Sequence, residues 1–336
     1  MFSRSLPSTI NKFRLLQPSR CLSTKSNEVL LQRSYLYVPS SSDRMLEKSR
    51  AVNSDIIIYD LEDSVSPAAQ DKASARDRLK AFLKQAKNNL PASNRIAVRV
   101  NDVTTPFFAE DVSAILQIPA VTTVVLPKVN TKEDLHYASK HIHQAYQRNP
   151  RENPLRIVSS VESARSLWNI GDIAGWKSEH GDVEGGVVSG LLFAAEDYCA
   201  DTSIVRTRSR QELLYTRSQI AIAAKAFGLE AIDMVCVHYK DLDYLREECE
   251  DGRRLGFTGK QAIHPTQVDT ILSTFVPTSD EITRAAKILH KMESAHASQK
   301  GAIGLDGEMI DAPMIKQAER IVKVAKAASL EIPTFH

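Results

Sequence analysis

The chain has 336 residues with 43 basic and 41 acidic side chains, a net charge of +2. Arg4, Lys12, Arg14, Arg20 and Lys25 fall in the first 26 positions with no acid among them, so the rest is mildly acidic and offers no nucleic-acid surface. No run reaches the ~18 apolar residues of a membrane span, and Cys21, Cys199, Cys236 and Cys249 lack metal-site spacing, which fits reduced thiols.

Residues 1–26 combine arginine and serine with scattered apolar residues, the composition of a mitochondrial transit peptide, with a disordered basic tail as the alternative. A matrix location is therefore expected. SYLYVP (34–39) then reads as a first strand, followed by a serine- or aspartate-capped helix carrying Arg44 and Lys48. DIIIYDLED (55–63) is a second strand, its continuous Ile56–Ile58 run suited to burial on both faces in a parallel sheet. A helix is expected over about 72–87. RIAVRVN (95–101) and TVVLPKV (123–129) are the third and fourth strands, separated by a helix near 110–116.

The fifth and sixth strands, RIVSSV and GGVVSGLLF, each end in acid, Glu162 in one case and Glu196-Asp197 in the other. A buried carboxylate needs a cation or it shifts its pKa. Glu162 reads equally as the cap of the next helix, and Asp197 as the partner of an arginine. Together, at the ends of consecutive strands, they suit an oxygen-ligated magnesium ion. After a helix over 213–227 closed by Gly228, AIDMVCV (231–237) and GFTGKQAIHP (256–265) complete eight β-rich runs.

Eight such runs alternating with helices predict βαβ units closing into a barrel of 33–275, with an open doubly wound sheet as the rival. In a barrel, function gathers where strands end, and polar residues close nearly every strand here. His264 reads as a structural hydrogen-bonding residue. Residues 276–336 form a C-terminal helical region: a helix over 279–297, a glycine-rich ordered loop over 301–313, and a last helix. On spacing, Asp311 caps that helix, with Pro313 just inside its start.

The ordered set LYVP (36–39), DLEDSV (60–65), RVN (99–101), LPKV (126–129), VESA (161–164), AAEDY (194–198), AKAFGLEAID (224–233), GFTGKQAIHP (256–265) and MIDAP (309–313) resembles the HpcH/HpaI aldolase and citrate lyase β-subunit family, in particular its mitochondrial, citramalyl-CoA-cleaving branch. The resemblance implies a TIM (β/α)8 barrel with a C-terminal helical lid, commonly trimeric, acting on a coenzyme A thioester with magnesium, or manganese in its place. It implies Glu162 and Asp197 as metal ligands, and Arg99 on the substrate carboxylate or the thioester enolate. It places Tyr37, Arg44, Lys48, Gln261 and Ala262 on the coenzyme A ester, and makes Asp311 the acid/base, from its own lid or a neighbour's.

The implied reaction splits a 3-hydroxyacyl-CoA, citramalyl-CoA giving acetyl-CoA and pyruvate. The alternatives are malyl-CoA cleavage, malate-synthase-type or thioesterase activity on the same site, the β-subunit of a multi-chain citrate lyase, and a non-catalytic module that only binds the ester. Ser40 and Ala194-Ala195 stand where relatives of this branch commonly carry glycine.

Overall fold

The alternation of side chains along each strand sorts the apolar residues into two cores. Tyr35, Ile56, Ile58, Ala97, Val125, Val158, Leu192 and Ile232 form one cluster. Their sequence neighbours Leu36, Ile57, Val98, Val124, Ile157 and Leu191 belong to a second, larger one shared with the helices. Period-2 strands buried on both faces give this result when they close on themselves. The computed structural model describes residues 30–85, 90–297, 303–305 and 307–335; the leader expected over 1–26 lies outside the described residues.

The strands are β1 (Ser34–Pro39), β2 (Ile56–Asp60), β3 (Ile96–Arg99), β4 (Thr123–Leu126), β5 (Arg156–Val161), β6 (Val187–Phe193), β7 (Glu230–Asp233) and β8 (Gly259–Ala262), all parallel in a closed barrel. Tyr35 pairs Gln261 to join β1 to β8. Gly259 makes that closure feasible: a Cβ there would stand 2.5 Å from the Gln32 carbonyl oxygen and 2.6 Å from that of Arg33. The barrel replaces the open-sheet alternative.

The helices up to β6 are α1 (Asp43–Ser49), α2 (Ala69–Gln85), α3 (Phe108–Ile115), α4 (Lys132–Arg148), α5 (Ala164–Trp168), α6 (Ile170–Ala174) and α7 (Gly181–Gly185). Then come α8 (Ala195–Thr202), α9 (Leu214–Phe227), α10 (Leu242–Leu255) and α11 (Val268–Thr274). Gly228 ends α9 at φ 70°, the left-handed conformation that glycine adopts without penalty. Between α9, α10, β7 and β8 lies a buried set of charges: Arg217 meets Asp233 at 2.8 Å, and Lys260 meets Glu248 at 3.1 Å. Burial alone would raise the Asp233 carboxyl, but Lys260 and Arg217 outweigh it and hold it below its ordinary value.

Beyond the barrel, α12 (Ser279–Ala297) and α13 (Ala312–Ala327) pack together over Ala285, Ile288, Leu305, Ile310 and Ala318. The loop expected over 301–313 is instead a hairpin where it is described. Strand β9 (Ile303–Leu305) pairs antiparallel with β10 (Glu308–Ile310), and Gly307 turns between them at φ 86°. Helix α13 shares a groove with Leu30, Gln32, Glu230, Phe257 and Thr258, which precede or open β1, β7 and β8. It therefore lies at the rim opposite the carboxyl ends of the strands.

Candidate active site

Continuing the interior rows of the barrel by two residues puts Tyr37 above Tyr35, Asp60 above Ile58, Arg99 above Ala97, and Ser160 then Glu162 above Val158. On β1, β2, β3 and β5 the top layer of the interior is thus polar where the layers below are apolar, while β6 continues to Ala194. Asp60 and Arg99 are register partners on β2 and β3. The guanidinium forks onto that carboxylate, Nε to Oδ1 at 2.7 Å and Nη2 to Oδ2 at 2.8 Å, and its Nη1 reaches Asp63 at 2.9 Å and Glu62 at 3.0 Å.

The Tyr37 ring lies under that guanidinium, 4.8 Å from ring centre to Cζ, and the Tyr37 hydroxyl donates to Gln261 Oε1 at 3.1 Å. Gln261 in turn donates to the Phe193 and Asp233 carbonyls at 2.8 and 3.0 Å, tying β1, β6, β7 and β8 together beneath the opening. Ala262, the next residue, is fully buried.

Burial pushes the Glu62 carboxyl up to about 7, against the pull of Arg99 and of Lys128, whose Nζ donates to it at 2.9 Å. Lys128 adopts φ 53°, a left-handed conformation that costs a non-glycine residue about 1–2 kcal/mol. In that conformation its side chain serves Glu62 while its backbone amide serves Glu162.

Glu162 and Asp197 stand past the ends of the adjacent strands β5 and β6, whose last register pair is Val161 with Phe193. Both are therefore on one rim. Burial raises the Glu162 carboxyl above its ordinary value and the Asp197 charge adds to that, against hydrogen bonds from Ser160 and the Lys128 amide. Six carboxylates are buried among the described residues: Asp60, Glu62, Asp111, Glu162, Asp233 and Glu248. Five have an arginine or lysine nitrogen at 2.7–2.9 Å. Glu162 has no ion pair among the described residues, and neither has the exposed Asp197.

Two unpaired carboxylates on one rim, one of them buried, fit a divalent cation with oxygen ligands. Magnesium is commonly held by one or two carboxylates with water and substrate oxygens completing its shell. The helix-cap reading of Glu162 fails, since Ser163 caps α5. The arginine expected beside the acidic pair exists, but it is Arg206 and it meets Glu196, not Asp197.

Arg44 and Lys48 are exposed one turn apart on α1, which Ser42 caps at the same rim. His264 acts structurally: its Nδ1 lies 2.8 Å from Thr266 Oγ1. Asp311 caps α13 as its spacing predicts, Oδ1 accepting from the Met314 N–H at 3.4 Å. No contact among the described residues carries it to Glu162 or Arg99 of its own barrel. Asp60 is the site residue that motif reading passed over, although its two-residue offset from Ile58 points it inward.

Comparison with known proteins identifies the family. A family model described as HpcH/HpaI aldolase/citrate lyase matches residues 33–265. The mitochondrial citramalyl-CoA lyase of Rattus norvegicus is 30% identical over 304 residues, covering 90% of this chain and 88% of that one. The (3S)-malyl-CoA thioesterase of Cereibacter sphaeroides is 31% identical over 299 residues, covering 88% and 95%. Among solved structures, the CitE protein of Mycobacterium tuberculosis, in complex with magnesium, acetoacetate and coenzyme A, matches with a TM-score of 0.67 at 27% identity, over 88% of this chain and 98% of that one.

Proposed function

The chain belongs to the HpcH/HpaI aldolase/citrate lyase family, and from that premise we propose that it splits a 3-hydroxyacyl-CoA, citramalyl-CoA first, into acetyl-CoA and an oxo acid. The observation that carries the reading is Glu162, buried without an ion pair among the described residues and close enough to Asp197 and Arg99 to feel both charges. Magnesium held by Glu162 and Asp197, or manganese in its place, would polarise the hydroxyl and carboxylate oxygens of the substrate.

The chain's own residues supply the rest. As the carbon–carbon bond breaks, the hydroxyl proton passes to the Asp311 carboxylate, the oxo acid forms, and the bonding electrons pass to the thioester as an enolate. Arg99 meets the charge on the thioester oxygen, its guanidinium kept in plane by the Asp60 fork so that Nη1 faces the opening. The exposed Asp63 gives way there to the substrate. Tyr37 and Gln261 hold the floor of the site, and Asp311 delivers a proton to the enolate carbon to complete acetyl-CoA. Arg44 and Lys48 take the phosphates of coenzyme A. Reversing both charges should raise KM for the ester at least tenfold and leave metal affinity unchanged; an unaltered KM would return the pair to the solvent.

We place Asp311 in the site of a neighbouring copy within a homotrimer, because α13 lies at the opposite rim of its own barrel. A base in position contributes ~10²–10⁴-fold in rate, so Asp311→Asn should lose about that much turnover while retaining coenzyme A affinity. Mixed oligomers of Asp311→Asn and Glu162→Gln chains should regain activity that neither homo-oligomer has. Mixtures as inactive as their parents would contradict the shared site.

Malyl-CoA cleavage or thioester hydrolysis is the second reading, favoured by the thioesterase relative and by Ala194, which packs on the interior cluster at the mouth. Incubating the protein with citramalyl-CoA and malyl-CoA, with and without magnesium, separates them. Pyruvate from the first ester is expected; glyoxylate or free coenzyme A from the second, with no pyruvate, would select the alternative. Import into the matrix, which the leader and the mitochondrial relative support, is tested by fusing residues 1–26 to a reporter protein.

A further inference from the structure

Glu162 and Asp197 both stand just past the end of the strand ladder. The last backbone bond between their strands runs from the Ala194 N–H to the Val161 carbonyl at 3.1 Å. Beyond it the ladder no longer fixes the distance between the two segments. The Asp197 side chain has no hydrogen bond or ion pair among the described residues, and the N-cap of the helix that bears it, Ala194 before α8, offers no side-chain cap.

Four residues after Asp197, on the same face of α8, Asp201 accepts the Ala164 N–H through Oδ2 at 2.8 Å. Ala164 opens α5 and follows Glu162 by two residues. Its amide is one of the unpaired N–H groups that every helix presents at its start. The turn it belongs to is rigid: Ser163 Oγ accepts the Ser166 N–H at 3.0 Å, Ser166 Oγ accepts the Glu162 N–H at 3.2 Å, and Ser163 Oγ donates to Asn130 Oδ1 at 2.5 Å.

We propose that Asp201 is a positioning residue: its bond to the Ala164 amide clasps α8 to the turn after β5 and sets the separation at which the Glu162 and Asp197 carboxylates take a divalent cation. This rests on the reading of that pair as the cation site. It does not place Asp201 on the metal. What matters is the acceptor oxygen more than the charge, because the side chain is exposed and its charge acts on the site through water of high dielectric constant.

The test is Mn2+ affinity, read by electron paramagnetic resonance as the free-ion signal disappears, in the full chain without substrate. Asp201→Ala should weaken binding about tenfold, the lower end of what loss of an outer-shell partner costs. Asp201→Asn, which keeps a carbonyl acceptor, should stay within about twofold of wild type. Ala164→Pro deletes the donor instead. Proline is well suited to the first helical position, and the extended Ser163 before it (φ −145°, ψ 163°) is compatible with a following proline. This variant should therefore fold and lose the same tenfold, and the double variant Asp201→Ala/Ala164→Pro should lose no more than either.

Wild-type binding that all the variants match would overturn this inference alone. Equal losses in Asp201→Ala and Asp201→Asn would also overturn it, since charge would then be the cause. No Mn2+ binding by the wild type would overturn the cation site itself, and this inference with it.

Discussion

Glu162→Gln is expected to lower turnover of the coenzyme A ester by about three orders of magnitude while the barrel stays folded. A bound divalent ion is worth several kcal/mol of transition-state charge stabilisation, and each 1.36 kcal/mol is a factor of ten. The amide keeps the shape of the carboxylate and one of its two acceptor oxygens but removes the charge that retains the ion. Stability should hold or rise, because Glu162 is a buried acid with no ion pair among the described residues and burial outweighs the pull of Arg99 on it, and a neutral group there removes a desolvation cost. The measurement is kcat at saturating magnesium together with the urea midpoint. Turnover within tenfold of wild type would remove Glu162 from the site.

Arg99 is predicted to fail in two separable ways. Arg99→Lys keeps a positive charge among Asp60, Glu62 and Asp63 but cannot fork onto Asp60, because an ammonium presents no planar pair of donors. Loss of one preorganised donor at a developing oxyanion costs about 10²–10³ in kcat, and that is the expected drop, with KM for the ester little changed. Arg99→Met should lose activity to the same degree and stability as well. Breaking a buried ion pair from one side costs about 3–5 kcal/mol, and methionine would leave Asp60 without its arginine. A lysine variant as active as wild type would show that the fork holds up the wall and has no part in the chemistry.

Much of this was legible before any coordinates. The strand cores were readable from runs such as IIIYD and TVVL, and the residues closing them marked the functional rim, because a charge next to a doubly buried strand demands an explanation that surface charge does not. The runs overshot where they turned polar. The expected strand 55–63 stops at Asp60 and the expected 256–265 covers only Gly259–Ala262, since the remaining residues leave the ladder to build the rim.

Pairing across strands was not readable. Asp60 meets Arg99 because β2 and β3 are register partners at that pair, a relation no local pattern encodes. Helix α4 went unread although Thr131 and Asp134 form a capping box at its start, and the 303–310 hairpin although Asp306-Gly307 is a strong two-residue turn signal. For Asp311, local spacing gave the cap and family likeness gave the catalytic role. The proposed service to another copy's barrel reconciles the two.

The most direct measurement is an anomalous difference map, recorded at the manganese edge, from crystals of the wild-type protein grown with Mn2+. One peak per chain between the Glu162 and Asp197 carboxylates, at the carboxyl-end rim of β5 and β6, is the predicted result. A fully soaked crystal with no peak there, or with its peak on other residues, would contradict it.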